Sequence, residues 1–256
     1  MPDIEAHPLG QSMHALFISD LHLCSTRPAI NALFKRFLHD IAPQAEALYI
    51  LGDFFEYWAG DDDLIEPFHR DIAQQLNTLA QSGTRLYLMH GNRDFLIGDA
   101  FQRAANITLL PDPTLIDLYG HPTLLMHGDT LCSDDVKYQA FRTQVREPAW
   151  QQNFLATPLA VRKAQIEALR QRSEQEKSSK AAEIMDTNAD TVTATLRAYN
   201  YPRLIHGHTH RPALHAYTVD GKSGERWVLT DWYNGGGYLR CDAMGCVVHN
   251  LEISSR

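Results

Sequence analysis

The stretch Ala47 to Trp58, ALYILGDFFEYW, decides how the rest of the chain is read. Apolar and aromatic residues run from Ala47 to Leu51, stop at Gly52, and are followed at once by Asp53. A short apolar run of this kind reads as a buried parallel strand, and open parallel sheets bind ligands beyond the carboxyl ends of their strands. Asp53 therefore stands where function is expected, although an Asp in that place also serves as a turn residue or helix cap. Repetition favours the functional reading, because the same design recurs four more times along the chain.

Upstream, His14 to Ser19 reads as a first strand that delivers Asp20 and His22 in SDLHLCS. Pro28 opens a helix whose apolar residues Ile30, Leu33, Phe34, Phe37, Leu38 and Ile41 fall at helical spacing. Downstream, Ile72, Leu76 and Leu79 line a second helix that Gly83 can end. A third strand, Arg85 to Met89, runs into HGNRDF. A short helix around Asp99 to Ala105 precedes a hairpin, Thr114 to Leu118 and Pro122 to Met126 about a Tyr119–Gly120 turn, which leads into HGDTLCSDD.

Between Asp135 and about Thr187 the pattern changes to a helical, basic composition with no convincing strand. Arg162, Lys163, Arg170 and Arg172 alternate there with Phe141, Trp150, Phe154, Leu155 and Leu169. A helical insertion capping the sheet and ordinary amphipathic surface helices both satisfy that composition. A helix from Thr187 to Tyr199 then leads to a strand at Arg203 to Ile205 and to HGHTHRP. From Leu214 strand-like runs alternate with turns at Asp220–Gly221, Gly235–Gly237 and Met244–Gly245, which predicts an antiparallel meander. The expected architecture is a layered α/β fold with mixed sheets, one domain over residues 13–256 after a loose extension at 1–12.

Composition narrows the function classes. At 256 residues, 44% hydrophobic and 21% charged, the chain reads as an ordinary globular protein with a sizeable core. A formal charge of −8 argues against a broad nucleic-acid surface. Cys24, Cys132, Cys241 and Cys246 include no CxxC pair, so reduced thiols are expected. There is no apolar run of 18 residues and no signal-peptide pattern, so neither a membrane span nor export by that route is expected. No obligate protein partner is expected either.

Five strand ends thus present Asp20 with His22, Asp53, Asn92, His127, and His208 with His210. All are oxygen or nitrogen donors suited to divalent first-row metals. Seven donors are too many for one ion and suit two, with a carboxylate shared between them, an arrangement used for in-line displacement at phosphorus. His206 fits no ligand position and is taken as a supporting or core residue. The acidic run Asp61 to Asp63 reads as a solvated loop.

In their order, SDLH, GDFFEYW, GNRD, HGD and GHTH resemble the successive signatures of the calcineurin-like metallophosphoesterase family. The resemblance implies a layered α-β-β-α sandwich, with a helical cap at about 135–187 over the active site. It implies a first metal on Asp20, His22 and His210, a second on Asn92, His127 and His208, and Asp53 bridging them. Many members carry His after the Asn, where it can protonate an alkoxide leaving group. This chain has Arg93, which stays cationic and argues for a leaving group that needs no proton, such as a phosphate.

Within the family, LHLC, YILGDFFEYW, HGNRDFL, MHGDTLCSDD, SSKxxxIMD and LIHGHTHRP resemble the members that hydrolyse UDP-2,3-diacylglucosamine in lipid A biosynthesis. That resemblance implies UMP and 2,3-diacylglucosamine 1-phosphate as products and Mn2+ as the metal. It implies peripheral contact with the cytoplasmic face of the bacterial inner membrane. It also implies substrate contacts at Asn92, Arg93, Asp135, Ser173, Lys177, Lys180 and His208, with Arg93 acting in catalysis. Two alternatives are weighed beside it: another metallophosphoesterase acting on soluble diphosphates, and a non-catalytic interaction protein on the same fold.

Overall fold

A computed structural model describes residues 13–177 and 186–253. Two sheets form the centre. The first has six strands in the order β11-β10-β1-β2-β3-β4, and the second has five in the order β5-β6-β7-β9-β8. In the first sheet β1 (Ala15–Ile18), β2 (Ala47–Leu51), β3 (Arg85–Met89) and β4 (Thr108–Leu110) run parallel. Strand β10 (Gly236–Asp242) joins β1 antiparallel, and β11 (Gly245–Leu251) closes that edge. In the second sheet β6 (His121–Leu125), β7 (Arg203–His206) and β9 (Lys222–Val228) are parallel, flanked by antiparallel β5 (Thr114–Leu118) and β8 (Ala213–Val219).

Strand alternation explains the layering. In β1, Ala15 and Phe17 face the second sheet and join Leu51, Met89, Leu125, Ile205 and Trp227 in a core between the sheets. Leu16 and Ile18 point the other way, into a core shared with helices α1 (Pro28–Arg36), α2 (Pro67–Gln81) and α3 (Asp99–Ala105). Because both faces of these strands are buried, their sequence is continuously apolar instead of alternating. On the outer face of the second sheet, Leu124, Met126 and Leu204 pack against Leu196 of α7 (Ala189–Ala198). The result is the expected four layers, helices on sheet on sheet on helix.

The stretch between the second sheet's strands β6 and β7 carries three further helices, α4 (Val136–Arg146), α5 (Pro148–Leu155) and α6 (Leu159–Lys177). Pro148 starts α5 one residue after α4's C-cap, Glu147, whose extended backbone turns the chain.

Four expectations are corrected. The tail is not one meander: β8 and β9 form a hairpin in the second sheet, and β10 and β11 form another in the first. Gly236 and Gly237, expected in a turn, lie in β10. Cys241 and Cys246 stand opposite each other in that hairpin, their Cα atoms 4.1 Å apart, and form a disulfide. Register places them, which no CxxC search could show. Finally, Asp61 to Asp63 is not a solvated loop but a short 3-10 turn, and Asp63 is fully buried.

Candidate metal centre

Three backbone pairings bring the strand ends together. The segment after β1 runs alongside the segment after β2, with Asp20 N donating to Gly52 O at 3.1 Å and His22 N to Asp53 O at 3.0 Å. Gly207 N donates to His127 O at 2.9 Å, joining the exits of β6 and β7. Across the two sheets, His127 Nδ1 donates to Leu51 O at 2.9 Å. That bond fixes the ring and leaves Nε2 to face the centre.

Asp20, His22, Asp53, His208 and His210 all have left-handed backbones, with φ from 49° to 68°. Such a conformation costs a non-glycine residue about 1–3 kcal/mol and persists only where its surroundings over-determine it. It turns each chain sharply at the strand end, so that the side chain folds back over the sheet edge. Gly91 lets the loops close up, because a Cβ there would collide with Asp53's backbone nitrogen and carboxylate. Gly52, at φ +90°, has a similarly crowded Cβ position against His127 and Gly91.

The donors converge. Asp20 Oδ1 lies 3.3 Å from His210 Nε2, and His22 Nε2 lies 3.4 Å from His210 Nε2. Asp53 places its two oxygens 3.8 Å from His22 Nε2 and 3.8 Å from His127 Nε2. Asn92 Oδ1 is 3.1 Å from His127 Nε2 and 2.9 Å from His208 Nδ1. Two sets, Asp20 with His22 and His210, and Asp20 with Asp53 and His127, each bring three ligand atoms within 4.8 Å of one another. Buried lone pairs aimed at one another at these distances repel unless protons or a cation stand between them, and this donor set fits divalent metal.

The electrostatics agree. Burial works against a charge on His127, yet the carboxylates of Asp53, Asp129 and Asp20 raise its pKa to about 9. Burial likewise opposes ionisation of Asp20, but His210 and the neighbouring imidazoles hold it well below the usual carboxylate range. His208 is pushed down to about 4 by burial and by His127. His206 remains a core residue: it is buried, Nδ1 lies 2.9 Å from Gly207 O, and burial lowers it to about 3.

All seven donors expected from the sequence lie in this cluster. Arg93 stands beside it, with its backbone N donating to Asp53 Oδ1 at 2.8 Å and its guanidinium 3.4 Å from Glu56. Asp135 caps α4 by accepting from Tyr138 N at 3.2 Å. Ser173 and Lys177 fall in α6, but their side chains, like all of Lys180, lie outside the described residues.

Several supporting residues went unread in the sequence. Asp94 is buried and accepts from Phe54 N, Phe55 N and Gly91 N, so it clamps the Asp53 and Asn92 loops together. Asp129 accepts from Tyr138 Oη and from Arg142 Nε, and the Tyr138 ring lies over His208 at 6.0 Å. The Tyr233 ring packs against both His22 and His210, at 5.1 and 5.2 Å. Asp94 and Asp129 had a usable signal, since each ends a quoted motif in a chain segment too apolar to leave a carboxylate idle. Tyr233 had none, because only tertiary packing brings it near.

Helices α5 and α6 flank an open cavity of about 520 Å³ lined by Trp150, Asn153, Phe154, Gln165, Ala168 and Leu169. Trp150 reaches Phe95, two residues past Arg93, with ring centroids 6.3 Å apart, so one wall of the cavity packs against the loop that carries Asn92 and Arg93. Phe141 is exposed and is not among the residues that line it.

The calcineurin-like phosphoesterase family model matches residues 13–212. Three curated relatives all bear the name UDP-2,3-diacylglucosamine hydrolase. The one from Aromatoleum aromaticum is 56% identical over 91% of this chain and 95% of its own length. The one from Edwardsiella ictaluri is 50% identical over 94% and 92%. The one from Pseudomonas paraeruginosa is 52% identical over 91% and 97%. With five loops converging on one divalent-metal site and a match that spans them all, the chain belongs to the calcineurin-like phosphoesterase family.

Proposed function

We propose that this chain hydrolyses the diphosphate bond of UDP-2,3-diacylglucosamine by attack of water on the α-phosphorus, giving UMP and 2,3-diacylglucosamine 1-phosphate in lipid A biosynthesis. One observation carries the reading beyond its relatives' names: an apolar cavity packs, through Trp150 and Phe95, against the loop that carries a metal donor and a guanidinium, Asn92 and Arg93. A soluble diphosphate would have no use for the cavity, and a binding protein would have no use for all seven donors.

Asp20, His22 and His210 would hold one ion and Asn92, His127 and His208 a second, with Asp53 shared; Mn2+ is the proposed metal. Bound there, divalent ions supply Lewis-acid stabilisation of the phosphoryl oxygens and activate water. The chain's own residues do the rest. His127, tied to Leu51 O, and Asp53, tied to Arg93 N, hold their donors in place without reorganisation. Arg93 places positive charge where the departing sugar phosphate gains negative charge, and a phosphate leaves without needing a proton. Asn92, Asp135, Ser173, Lys177, Lys180 and His208 are the further substrate contacts proposed.

Acyl chains entering the cavity between α5 and α6 would gain about 0.8 kcal/mol per buried CH₂. Exposed Val136, Phe141, Leu155 and Val161 suit peripheral contact with a membrane leaflet, the cytoplasmic face of the inner membrane. Among the described residues no helix is long and apolar enough to cross a membrane.

Hydrolysis in ¹⁸O-water followed by phosphorus NMR tests the reaction. The label is expected in UMP, and label in the sugar phosphate would overturn attack at the α-phosphorus.

A further inference from the structure

Glu56 is neither one of the seven donors nor one of the expected substrate contacts, yet it touches three groups around the site. It is 8% exposed, and its backbone N donates to Leu23 O at 3.0 Å, fixing it beside the segment after β1. Its Oε2 lies 3.3 Å from His22 Nδ1. Its Oε1 lies 2.6 Å from Arg170 Nη2 on α6 and 3.4 Å from Arg93 Nη1. Two guanidiniums from different parts of the chain therefore share one carboxylate oxygen.

We propose that Glu56 is a positioning residue that orients His22 and through which helix α6 sets the aim of Arg93. This rests on the roles of Arg93 and His22 given under Proposed function. On one side, a carboxylate at Nδ1 favours the proton on that nitrogen and leaves His22 Nε2 facing Asp20, Asp53 and His210. On the other side, the oxygen cannot serve both cations equally. Arg170 takes the short contact, which leaves Arg93 on the long one, held near the donor cluster but with donors free for a phosphate.

The placement of α6 makes this a coupling and not a chance contact. Arg162, nearly fully buried, donates to Ala59 O, Thr157 O and the Asp62 carboxylate, and Lys163 pairs with buried Asp63 at 2.5 Å. One helical face further along, Arg170 completes the row by lying over the Tyr57 ring and reaching Glu56. Leu169, its neighbour in sequence, lines the apolar cavity. Whatever shifts α6 when the cavity fills is felt at Glu56 and from there at Arg93. Loss of Arg170 would let Arg93 close onto Glu56 as a tight ion pair, with its charge neutralised where the phosphate needs it.

The test is a mutant cycle on the full-length chain with Mn2+. It reads turnover of bis(4-nitrophenyl) phosphate and of UDP-2,3-diacylglucosamine, Mn2+ affinity by titration, and the thermal midpoint. Arg170→Met is expected to lower kcat on both substrates about tenfold without changing Mn2+ affinity, and Arg170→Lys to restore most of it. Glu56→Gln is expected to weaken Mn2+ binding about 10–100-fold, and adding Arg170→Met to it should cost no further kcat. Additive losses, a loss confined to the acylated substrate, or a lower thermal midpoint with kcat and Mn2+ affinity intact would each overturn the proposal. If Glu56→Gln fails to fold, Arg93→Ala replaces it in the cycle, and Arg170→Met must then be silent on that background. A wild-type chain that cleaves the diester but not the UDP-sugar overturns the substrate reading alone and leaves the diester cycle to decide on Glu56.

Discussion

The strand-end loops and the helical stretch Val136–Lys177 are held in place by different physics. The loops are fixed by backbone: main-chain hydrogen bonds cross between strand exits, five donors sit in left-handed conformations, and glycines allow contacts no side chain could tolerate. The helices are fixed by a few side chains. Helix α5 has no buried residue, α4 has only Val145, and α6 is held mainly through Arg162, Lys163 and Arg170 on the acidic run and Glu56. A preorganised centre and charge-docked helices make sense together: chemistry needs donors fixed in advance, whereas an acyl substrate needs a way in.

Breaking the first region should be more severe than breaking the second. Asp53→Ala is expected to lower kcat by at least ~10²–10³-fold and to cut the bound metal, checked by turnover and metal analysis. Gly91→Ala should come next, since a Cβ collides with Asp53's backbone. A stability loss of about 1–3 kcal/mol and a large fall in metal content are expected, read by denaturant unfolding and metal analysis. In the second region, Arg162→Met leaves Ala59 O and Asp62 without their partner. Proteolysis within Val136–Lys177 should accelerate, KM for the acylated substrate should rise, and turnover of a simple diester should fall less than in Arg170→Met, while metal content stays near wild type.

Solution conditions should separate the regions as well. His127 must be neutral to bind metal, and with its pKa raised to about 9 protons compete below that value. Metal affinity should therefore fall as pH drops from about 9 toward 6, measured by Mn2+ titration. The sign for folding runs the other way. His127's contribution to the stability of the metal-free chain is fully present below its unfolded pKa, about 6.5, and is lost as pH rises through 9. The smallest expected effect is that of salt on the helices: the partly exposed Arg170 and Lys163 pairs should weaken, with KM for the acylated substrate rising modestly and simple diester turnover falling slightly as Arg170 loosens from Glu56.

The same contrast governs what could be read in advance. Each strand-end motif is local: an apolar run, a glycine and a donor within a few residues, so Asp20, His22, Asp53, Asn92, His127, His208 and His210 were legible one loop at a time. Asp61 to Asp63 was misread because an acidic run ordinarily means solvent. The partners of Asp62 and Asp63, Arg162 and Lys163, lie about a hundred residues away, and Asp61 accepts from Gly98, Ala100 and Phe101. Glu56 carried a faint signal, a charge among aromatics, but nothing nearby names His22, Arg93 or Arg170 as its partners.

By itself, the sequence determined the alternation of strands and helices, the seven donors, the cation after Asn92 and the existence of a helical stretch. These are properties of periodicity and of residue chemistry at short range. Tertiary structure alone decided that the tail divides between two sheets, that Cys241 faces Cys246, and that the cavity between α5 and α6 packs against the Arg93 loop. It also decided that one buried carboxylate serves both the metal-site histidine and the covering helix. Strand register, sheet membership and ion-pair partners depend on chain segments distant in sequence, and only packing chooses among them.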